Sequence, residues 1–170
     1  LALEQVERPK TTAPVVAPQK LIPAYTEALL KLAAEDASIV ALDADLILDT
    51  GLIPFKERYP DRFFECGIAE QDMVSQASGM ARLGLKPVVH SFACFLSARP
   101  NEQIYNNATE RKKITYVGSL AGLIPGGPGH SHQAVRDIAA LRGAPGLLMA
   151  EPCCADEVEP LLRICMGLEE

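Results

Sequence analysis

The fold of this chain is decided at residues 64–73, which read FECGIAEQDM. An apolar segment ends there, Gly67 marks a turn, and a helical pattern follows that places Glu70 in its first turn. A carboxylate is therefore predicted where a strand meets a helix, which is where open α/β sheets place their ligand sites. A simpler interpretation, in which Glu70 only complements the helix N-terminus, explains this acid but not the residues around it.

Strand and helix patterns alternate on both sides of this stretch. Short apolar runs predict strands at residues 39–42, 63–64, 86–91, 114–118 and 147–150. Helical spacing predicts helices from Pro23, from Glu70 to Gly84, and over residues 101–109, 135–141 and 156–165. Residues 45–46 and 51–61 are expected to be irregular. Because each strand is a continuous apolar run between helices, we expect an α/β fold with three layers (α/β/α) and a mostly parallel sheet.

Two regions of different composition divide the chain. Residues 1–20 carry Pro9, Pro14 and Pro18 among small and polar residues, which predicts an extended arm or linker. Residues 21–170 are expected to form one domain. The hydrophobic content of 48% against 22% charged residues is ordinary for such a domain.

Composition also argues against several kinds of partner. The net charge of −6 disfavours binding to nucleic acid, and no apolar run approaches the length needed to span a membrane. The five cysteines form no CxxC pair and show no metal-ligand spacing, so they are interpreted as reduced thiols that fill space. We therefore expect a cytoplasmic protein that binds neither membrane nor nucleic acid.

Chemistry-bearing side chains follow several of the predicted strands. In a parallel sheet the carboxyl ends of the strands meet at one edge, so these residues are expected to lie together there. One acid with an aromatic wall is a usual composition for a small-molecule pocket. Taken alone, Phe92 and Phe95 would more simply be core residues. The residues expected at this edge are Asp43, Asp45, Glu70, Ser91, Phe92, Phe95, the 122–132 loop and Glu151.

The glycine-rich loop that reads GGPGHSHQ at residues 126–133 carries two histidines. It has neither of the spacings typical of nucleotide-binding loops. His130 and His132 lack a third ligand at matching spacing, so no metal site is predicted on this chain. A histidine that acts on a substrate oxygen is the more plausible role.

In this order, the motifs resemble the pyrimidine-binding domain of transketolase-like enzymes that depend on thiamine diphosphate. The resemblance covers about residues 21–165 and is carried by DADL at 43–46, GIAEQDM at 67–73, SF at 91–92, NEQI at 101–104, SHQ at 131–133 and the expected strand and turn at 147–156. It implies the fold of that domain for the chain. The GIAEQDM sequence is similar to that of the smaller, C-terminal subunit of split transketolases.

The resemblance also implies roles for single residues. Glu70 matches the catalytic glutamate that hydrogen-bonds N1′ of the cofactor's aminopyrimidine and favours the imino tautomer that generates the C2 ylide. Phe92 and Phe95 match residues that stack on this ring, and Asp45 matches an acid near the cofactor. His132 matches a catalytic histidine that contacts substrate oxygens. A substrate role for His130 is inferred only from its position beside His132.

Departures from the family pattern bear on the substrate. Transketolases that use sugar phosphates carry an arginine where this chain has Glu151, and a histidine near Ser119. A third stacking aromatic is replaced at about Ala98, and an acid is replaced in the 127–128 region. The missing arginine and histidine weaken the case for a phosphorylated ketose.

The sequence contains no Gly-Asp-Gly, the motif with which such enzymes hold the diphosphate through Mg²⁺. The resemblance therefore implies that this chain supplies the pyrimidine half of an active site, and that a partner subunit or domain holds the diphosphate and Mg²⁺. The expected activity is transfer of a two-carbon ketol unit in a homo- or hetero-oligomer, and the chain is expected to be inactive alone. The alternatives are a β-type component of a 2-oxo acid dehydrogenase or decarboxylase, and a non-catalytic assembly domain.

Overall fold

Four parallel strands form the sheet on which the candidate site is built. They are β1 (Ile39–Asp43), β2 (Phe63–Glu65), β3 (Lys86–Phe92) and β4 (Thr115–Ser119), arranged in the order β2-β1-β3-β4. In the computed structural model, which describes residues 20–123 and 127–168, β1 pairs in parallel with β2 and β3, and β3 pairs in parallel with β4. The expected α/β fold with a mostly parallel sheet is confirmed.

Helices cover both faces of this sheet. Within the described residues they are α1 (Leu21–Glu35), α2 (Ile47–Thr50), α3 (Ile53–Arg58), α4 (Glu70–Arg82), α5 (Ala93–Ala98), α6 (Asn101–Thr109), α7 (Asp137–Leu141) and α8 (Ala155–Met166). The described part of the chain also forms 3₁₀ turns at Pro60–Arg62 and His130–His132.

Alternate residues of the central strands point to the two faces, as the pleat of a strand requires. Ile39 and Ala41 of β1 pack with α1, α3 and α8 on one face, whereas Val40 and Leu42 pack with α4, α5 and α6 on the other. The central strand β1 is buried along its whole length. This arrangement is the three-layer α/β/α architecture.

The helix predicted from Glu70 is present with the expected ends. α4 begins at Glu70, and Met73, Val74 and Ala77 form its buried stripe. It is followed by Gly84 at φ +87°, the left-handed conformation that commonly ends helices. The helix predicted at residues 101–109 is present over the same residues.

Two local predictions are wrong. Residues 147–150 form no strand: the N–H of Leu147 donates to the oxygen of Ala144 in a turn, and Leu148 is 61% exposed. Four apolar residues predict burial, but a strand also needs a neighbour to pair with. Residues 51–61 are not irregular, because α3 forms there around the buried Phe55.

The arm predicted over residues 1–20 lies outside the described residues, apart from Lys20. Among the helices that the structure describes, none combines the length and the apolar character needed to cross a bilayer.

Candidate functional site

The candidate site lies beyond the carboxyl ends of the two middle strands, β1 and β3. A tight turn brings α4 to this edge after β2. The N–H of Cys66 donates to the oxygen of Asp43 at 2.9 Å, which ties the turn to the end of β1. Gly67 has φ +69°, and its N–H donates to Glu65 Oε1 at 2.9 Å. The turn therefore directs the first residue of α4, Glu70, towards the sheet.

Glu70 is a buried acid with two polar partners. Its side chain is only 3% exposed, and its Oε1 accepts a hydrogen bond from Arg99 Nη1 at 2.6 Å. Ser91 Oγ, near the end of β3, lies 3.4 Å from the same oxygen. A charge buried without a partner is costly, so the guanidinium offsets the desolvation of the carboxylate. The N-terminus of α4 also favours an acid at this position.

An aromatic group lies beside this carboxylate. Phe92 ends β3 and Phe95 lies one turn into α5, and the two rings are stacked with centroids 5.8 Å apart. The His132 ring meets both edge-on, at 6.2 Å from Phe92 and 5.1 Å from Phe95. The guanidinium of Arg99 lies 3.9 Å from the centroid of Phe95. The site thus combines a buried acid, two stacked rings, a histidine and a cation.

The histidines of the glycine-rich loop differ in their surroundings. His132 is half-buried against the two phenylalanines, and its Nδ1 lies 3.0 Å from the hydroxyl of Ser131. His130 is exposed at the start of the 3₁₀ turn. Ala134 anchors this segment, because its N–H donates to the oxygen of Gly122 at 2.8 Å. Of the two histidines, His132 is the one in contact with the aromatic group.

The two acids that follow β1 have different environments. Asp45 is exposed in the left-handed region at φ +61°, and its backbone N–H donates to Glu65 Oε1. Asp43 is buried and accepts hydrogen bonds from the Leu46 N–H at 2.6 Å and the Thr50 hydroxyl at 3.0 Å. Burial raises the pKa of Asp43 to about 6.

The third histidine, His90, lies within β3 beneath the site. It is fully buried, and its Nδ1 lies 3.0 Å from the oxygen of Leu42. Nδ1 therefore carries the proton, and Nε2 accepts a hydrogen bond from the Tyr25 hydroxyl at 2.5 Å. Burial lowers the pKa of His90 to about 4 and raises that of Tyr25. His90 is thus a neutral residue that supports the strand bearing Ser91 and Phe92.

The structure brings together Glu70, Phe92, Phe95 and His132, whereas Asp45 and His130 lie exposed at the same edge. Arg99 was not predicted from the sequence. The spacing could have indicated it: Arg99 follows Phe95 by four residues, and in a helix residues at that spacing share a face. His90 was also missed, since a histidine inside an apolar strand has no distinctive spacing.

The donor set fits a flat heterocycle. Stacked phenylalanines offer a face to an aromatic ring, and a buried carboxylate offers one strong hydrogen bond to a ring nitrogen. Among the described residues no cluster of three or more His, Cys, Asp or Glu side chains could hold a metal ion. These side chains therefore suit the flat ring of a ligand better than the charged groups of a ligand.

Known proteins share both this sequence pattern and this architecture. The family model described as "Transketolase, pyrimidine binding domain" matches residues 18–169. A putative uncharacterized transketolase family protein of Sinorhizobium fredii is 42% identical over 161 residues, which are 90% of this chain and 46% of that protein. A 1-deoxy-D-xylulose-5-phosphate synthase of Thermomicrobium roseum is 36% identical over 146 residues, which are 86% of this chain and 23% of the synthase.

Solved structures give the same picture. A split gene transketolase, described as an inactive β4 tetramer, superposes with a TM-score of 0.74 at 33% identity, over 86% of this chain and 48% of that one. A transketolase from Pichia stipitis superposes with a TM-score of 0.79 at 20% identity, over 90% of this chain and 24% of that one, which shows the shared fold. The chain spans less than half the length of each of these relatives.

Proposed function

This chain belongs to the family of transketolase pyrimidine-binding domains, and we propose that it supplies the pyrimidine half of a transketolase-type active site that uses thiamine diphosphate. The observation that carries the proposal is the carboxylate of Glu70, buried at the start of α4 beside the Phe92–Phe95 stack. The proposed reaction is transfer of a two-carbon ketol unit.

Each residue of the site has a proposed part. Glu70 accepts or shares the proton at N1′ of the aminopyrimidine, and its burial excludes water from that hydrogen bond. Phe92 and Phe95 hold the ring by stacking, with Asp45 at the outer edge of the cofactor site. His132, which meets both rings edge-on, would contact the substrate, and the exposed His130 would lie further out. Thiamine diphosphate, when bound, supplies the carbanion chemistry that no side chain can provide.

A partner subunit or domain is proposed to hold the diphosphate and Mg²⁺. The sequence lacks Gly-Asp-Gly, and among the described residues no cluster of acids could replace that motif. Ile68, in the turn before Glu70, is 71% exposed, and Leu48, after β1, is 78% exposed. Apolar side chains beside a site are suited to being covered by a partner surface. We expect an oligomer in which the chain is active only with this partner.

The residue at position 151 bears on the class of donor. A phosphorylated ketose would need a cation near residue 151, where this chain has the exposed acid Glu151. This acid favours an unphosphorylated ketose, or a 2-oxo acid as used by the β-type component of a dehydrogenase or decarboxylase. Supplying the complex with each donor class in turn separates these activities, and an assembly domain without chemistry would turn over none of them.

The deciding experiment reconstitutes the chain with its diphosphate-holding partner, Mg²⁺ and thiamine diphosphate. The chain offers a matched pair of variants, Glu70→Gln and Asp72→Asn, since both remove one acid from the first turn of α4. Only Glu70 is buried towards the aromatic group, whereas Asp72 is exposed and accepts from Gln76. Turnover, and exchange of the cofactor's C2 proton with deuterated water, should fall roughly 100-fold or more in Glu70→Gln.

Asp72→Asn should retain the activity of the unmodified complex. Full exchange in Glu70→Gln would remove Glu70 from the proposed role. An unmodified complex that binds the cofactor but turns over neither ketoses nor 2-oxo acids would refute the catalytic proposal.

A further inference from the structure

Arg99 makes both of the contacts that the proposed cofactor ring would need. Its guanidinium lies 3.9 Å from the centroid of Phe95, and its Nη1 donates to Glu70 Oε1 at 2.6 Å. A pyrimidine that stacks on Phe95 and hydrogen-bonds Glu70 would compete with Arg99 for the ring and for the carboxylate. Two planar groups cannot occupy one stacking distance over one ring.

We propose that Arg99 occupies the ring position of the site in the free chain and must move away from Glu70 before the cofactor's aminopyrimidine can bind. This inference rests on the proposed function, and it adds a positioning residue that controls access to Glu70. The pairing also explains how a 3% exposed carboxylate is tolerated in the free chain.

The position of Arg99 permits such a movement. It directly follows α5 as its C-cap, and its side chain is 41% exposed, so the guanidinium has a path to solvent. Glu70 is fixed by its helix and its burial and cannot follow. Two polar side chains lie beside this pair: the His132 ring lies against Phe95, and the Ser91 hydroxyl donates to the same carboxylate oxygen. When Arg99 leaves, that hydroxyl remains as a polar partner of Glu70.

The first test needs no cofactor. In NMR spectra of the full chain, rotation of the Arg99 guanidinium about its Cζ–Nε bond should be slow, because Glu70 and the face of Phe95 hold the group. Glu70→Gln should release the group and speed its rotation by at least about tenfold. Equally fast rotation in the unmodified chain would overturn the proposal.

The second test measures ring binding directly. The probe is 4-amino-5-hydroxymethyl-2-methylpyrimidine, which carries the aminopyrimidine but neither the cationic thiazolium nor the diphosphate. Arg99→Ala should bind this probe about tenfold more tightly than the unmodified chain, because no ion pair has to be broken first. The affinity is read from NMR shifts of the backbone amides of α4 and α5.

Two further variants separate position from charge. Arg82→Ala removes an equal charge from the exposed last turn of α4 and should bind the probe like the unmodified chain. Arg99→Lys keeps the charge but replaces the planar guanidinium with a compact ammonium. This variant should therefore bind the probe more tightly than the unmodified chain does. Circular dichroism checks that each variant is folded.

Several outcomes would overturn the inference. They are equal affinity of Arg99→Ala and the unmodified chain, equal affinity of Arg99→Lys and the unmodified chain, and absence of binding to Arg99→Ala at millimolar probe. Because catalysis by the reconstituted complex is measured separately, an active complex combined with any of these outcomes rejects the role of Arg99 and leaves the proposed function in place.

Discussion

Asp43 and His90 lie opposite each other on the two middle strands, and both side chains are fully buried. Burial disfavours the charged form of each, so it raises the pKa of Asp43 to about 6 and lowers that of His90 to about 4. Hydrogen bonds from Leu46 and Thr50 partly oppose the shift of Asp43, whereas the charges of Glu65 and Asp45 add to it.

The two shifts have opposite consequences for stability. On acidification from pH 6 to 4 the folded chain takes up a proton at Asp43 that the unfolded chain does not, which stabilises the fold. Between pH 6.5 and 4 the unfolded chain takes up a proton at His90 that the folded chain does not, which destabilises the fold. In the unmodified chain these two effects should largely cancel over that range.

Asp43→Asn should reveal the loss of stability that His90 causes at low pH, because the opposing effect of Asp43 is removed. The amide keeps an oxygen that can accept the Leu46 N–H, but it does not titrate. We expect the free energy of unfolding of this variant to fall by about 3 kcal/mol more than that of the unmodified chain between pH 7 and pH 4. Urea unfolding at four pH values in that range measures the difference in slope.

His90→Gln provides the opposite control. With only Asp43 titrating, this variant should gain stability relative to the unmodified chain as the pH falls from 6.5 to 4. If the three proteins share one pH profile, the assignment of these two buried groups is wrong.

The sequence predicts single residues best where their chemistry is visible in a motif. Glu70 follows a turn and precedes a helical pattern, and Phe92 and His132 stand in motifs, so their placement at one edge could be predicted. Arg99 could not be assigned its partner, because a carboxylate 29 residues earlier becomes a neighbour only through the packing of α4 against β3. His90 is polar within an apolar strand, and its hydrogen bonds to Tyr25 and Leu42 likewise depend on the tertiary fold.

Among the elements of the site, β4 and α5 approach each other closely. A Cβ added at Gly118 of β4 would lie 3.0 Å from both Cα and Cβ of Ala93, the first residue of α5. Because α5 follows Phe92 directly and carries Phe95, the glycine sets the position of both rings. The close approach explains why a residue without a side chain is needed in this strand.

Gly118→Ala should therefore displace the start of α5. We expect it to destabilise the fold by about 1–3 kcal/mol, the usual cost of overpacking, and to weaken binding of the aminopyrimidine probe. Urea unfolding and NMR shifts of the Phe92 and Phe95 rings measure the two effects.

Gly79→Ala is the matched control for this substitution. Gly79 lies in α4 with nothing within 4 Å of an added Cβ, so alanine there should be neutral or stabilising by roughly 0.5–1 kcal/mol. Unshifted ring signals in Gly118→Ala would show that β4 does not position the phenylalanines.

Helices and strands are predicted reliably where the sequence pattern agrees with the contacts that the fold provides. α6 was placed correctly, and it buries Ile104 and Asn107 at helical spacing. Residues 147–150 carry the composition of a strand, but they follow a turn at Leu147 and pair with none of the described strands. The short helix α3 was missed because six residues are too few to establish a period.

On the scale of the whole molecule, the last helix closes one face of the sheet. Val158, Leu162 and Met166 of α8 are buried in the core cluster that α1 contributes to. Ion pairs join the outer sides of the same two helices, from Arg163 to Glu35 at 2.8 Å and from Lys31 to Glu159 at 2.6 Å. Buried apolar contacts and exposed ion pairs therefore both hold α8. Their contributions to the free energy of unfolding should differ greatly.

Burial should dominate, because exposed ion pairs are screened by water and salt. Leu162 is 7% exposed, and Leu162→Ala should lower the free energy of unfolding by about 2–5 kcal/mol through lost burial and the cavity left behind. Arg163→Ala should change the urea midpoint far less. The Leu162 cavity faces α1, on the opposite side of the sheet from α4, so Leu162→Ala should still bind the aminopyrimidine probe with unchanged affinity while it remains folded. A variant of Leu162 that loses probe binding before it unfolds would show that the two faces of the sheet are coupled, and that the site at its edge depends on the whole three-layer core.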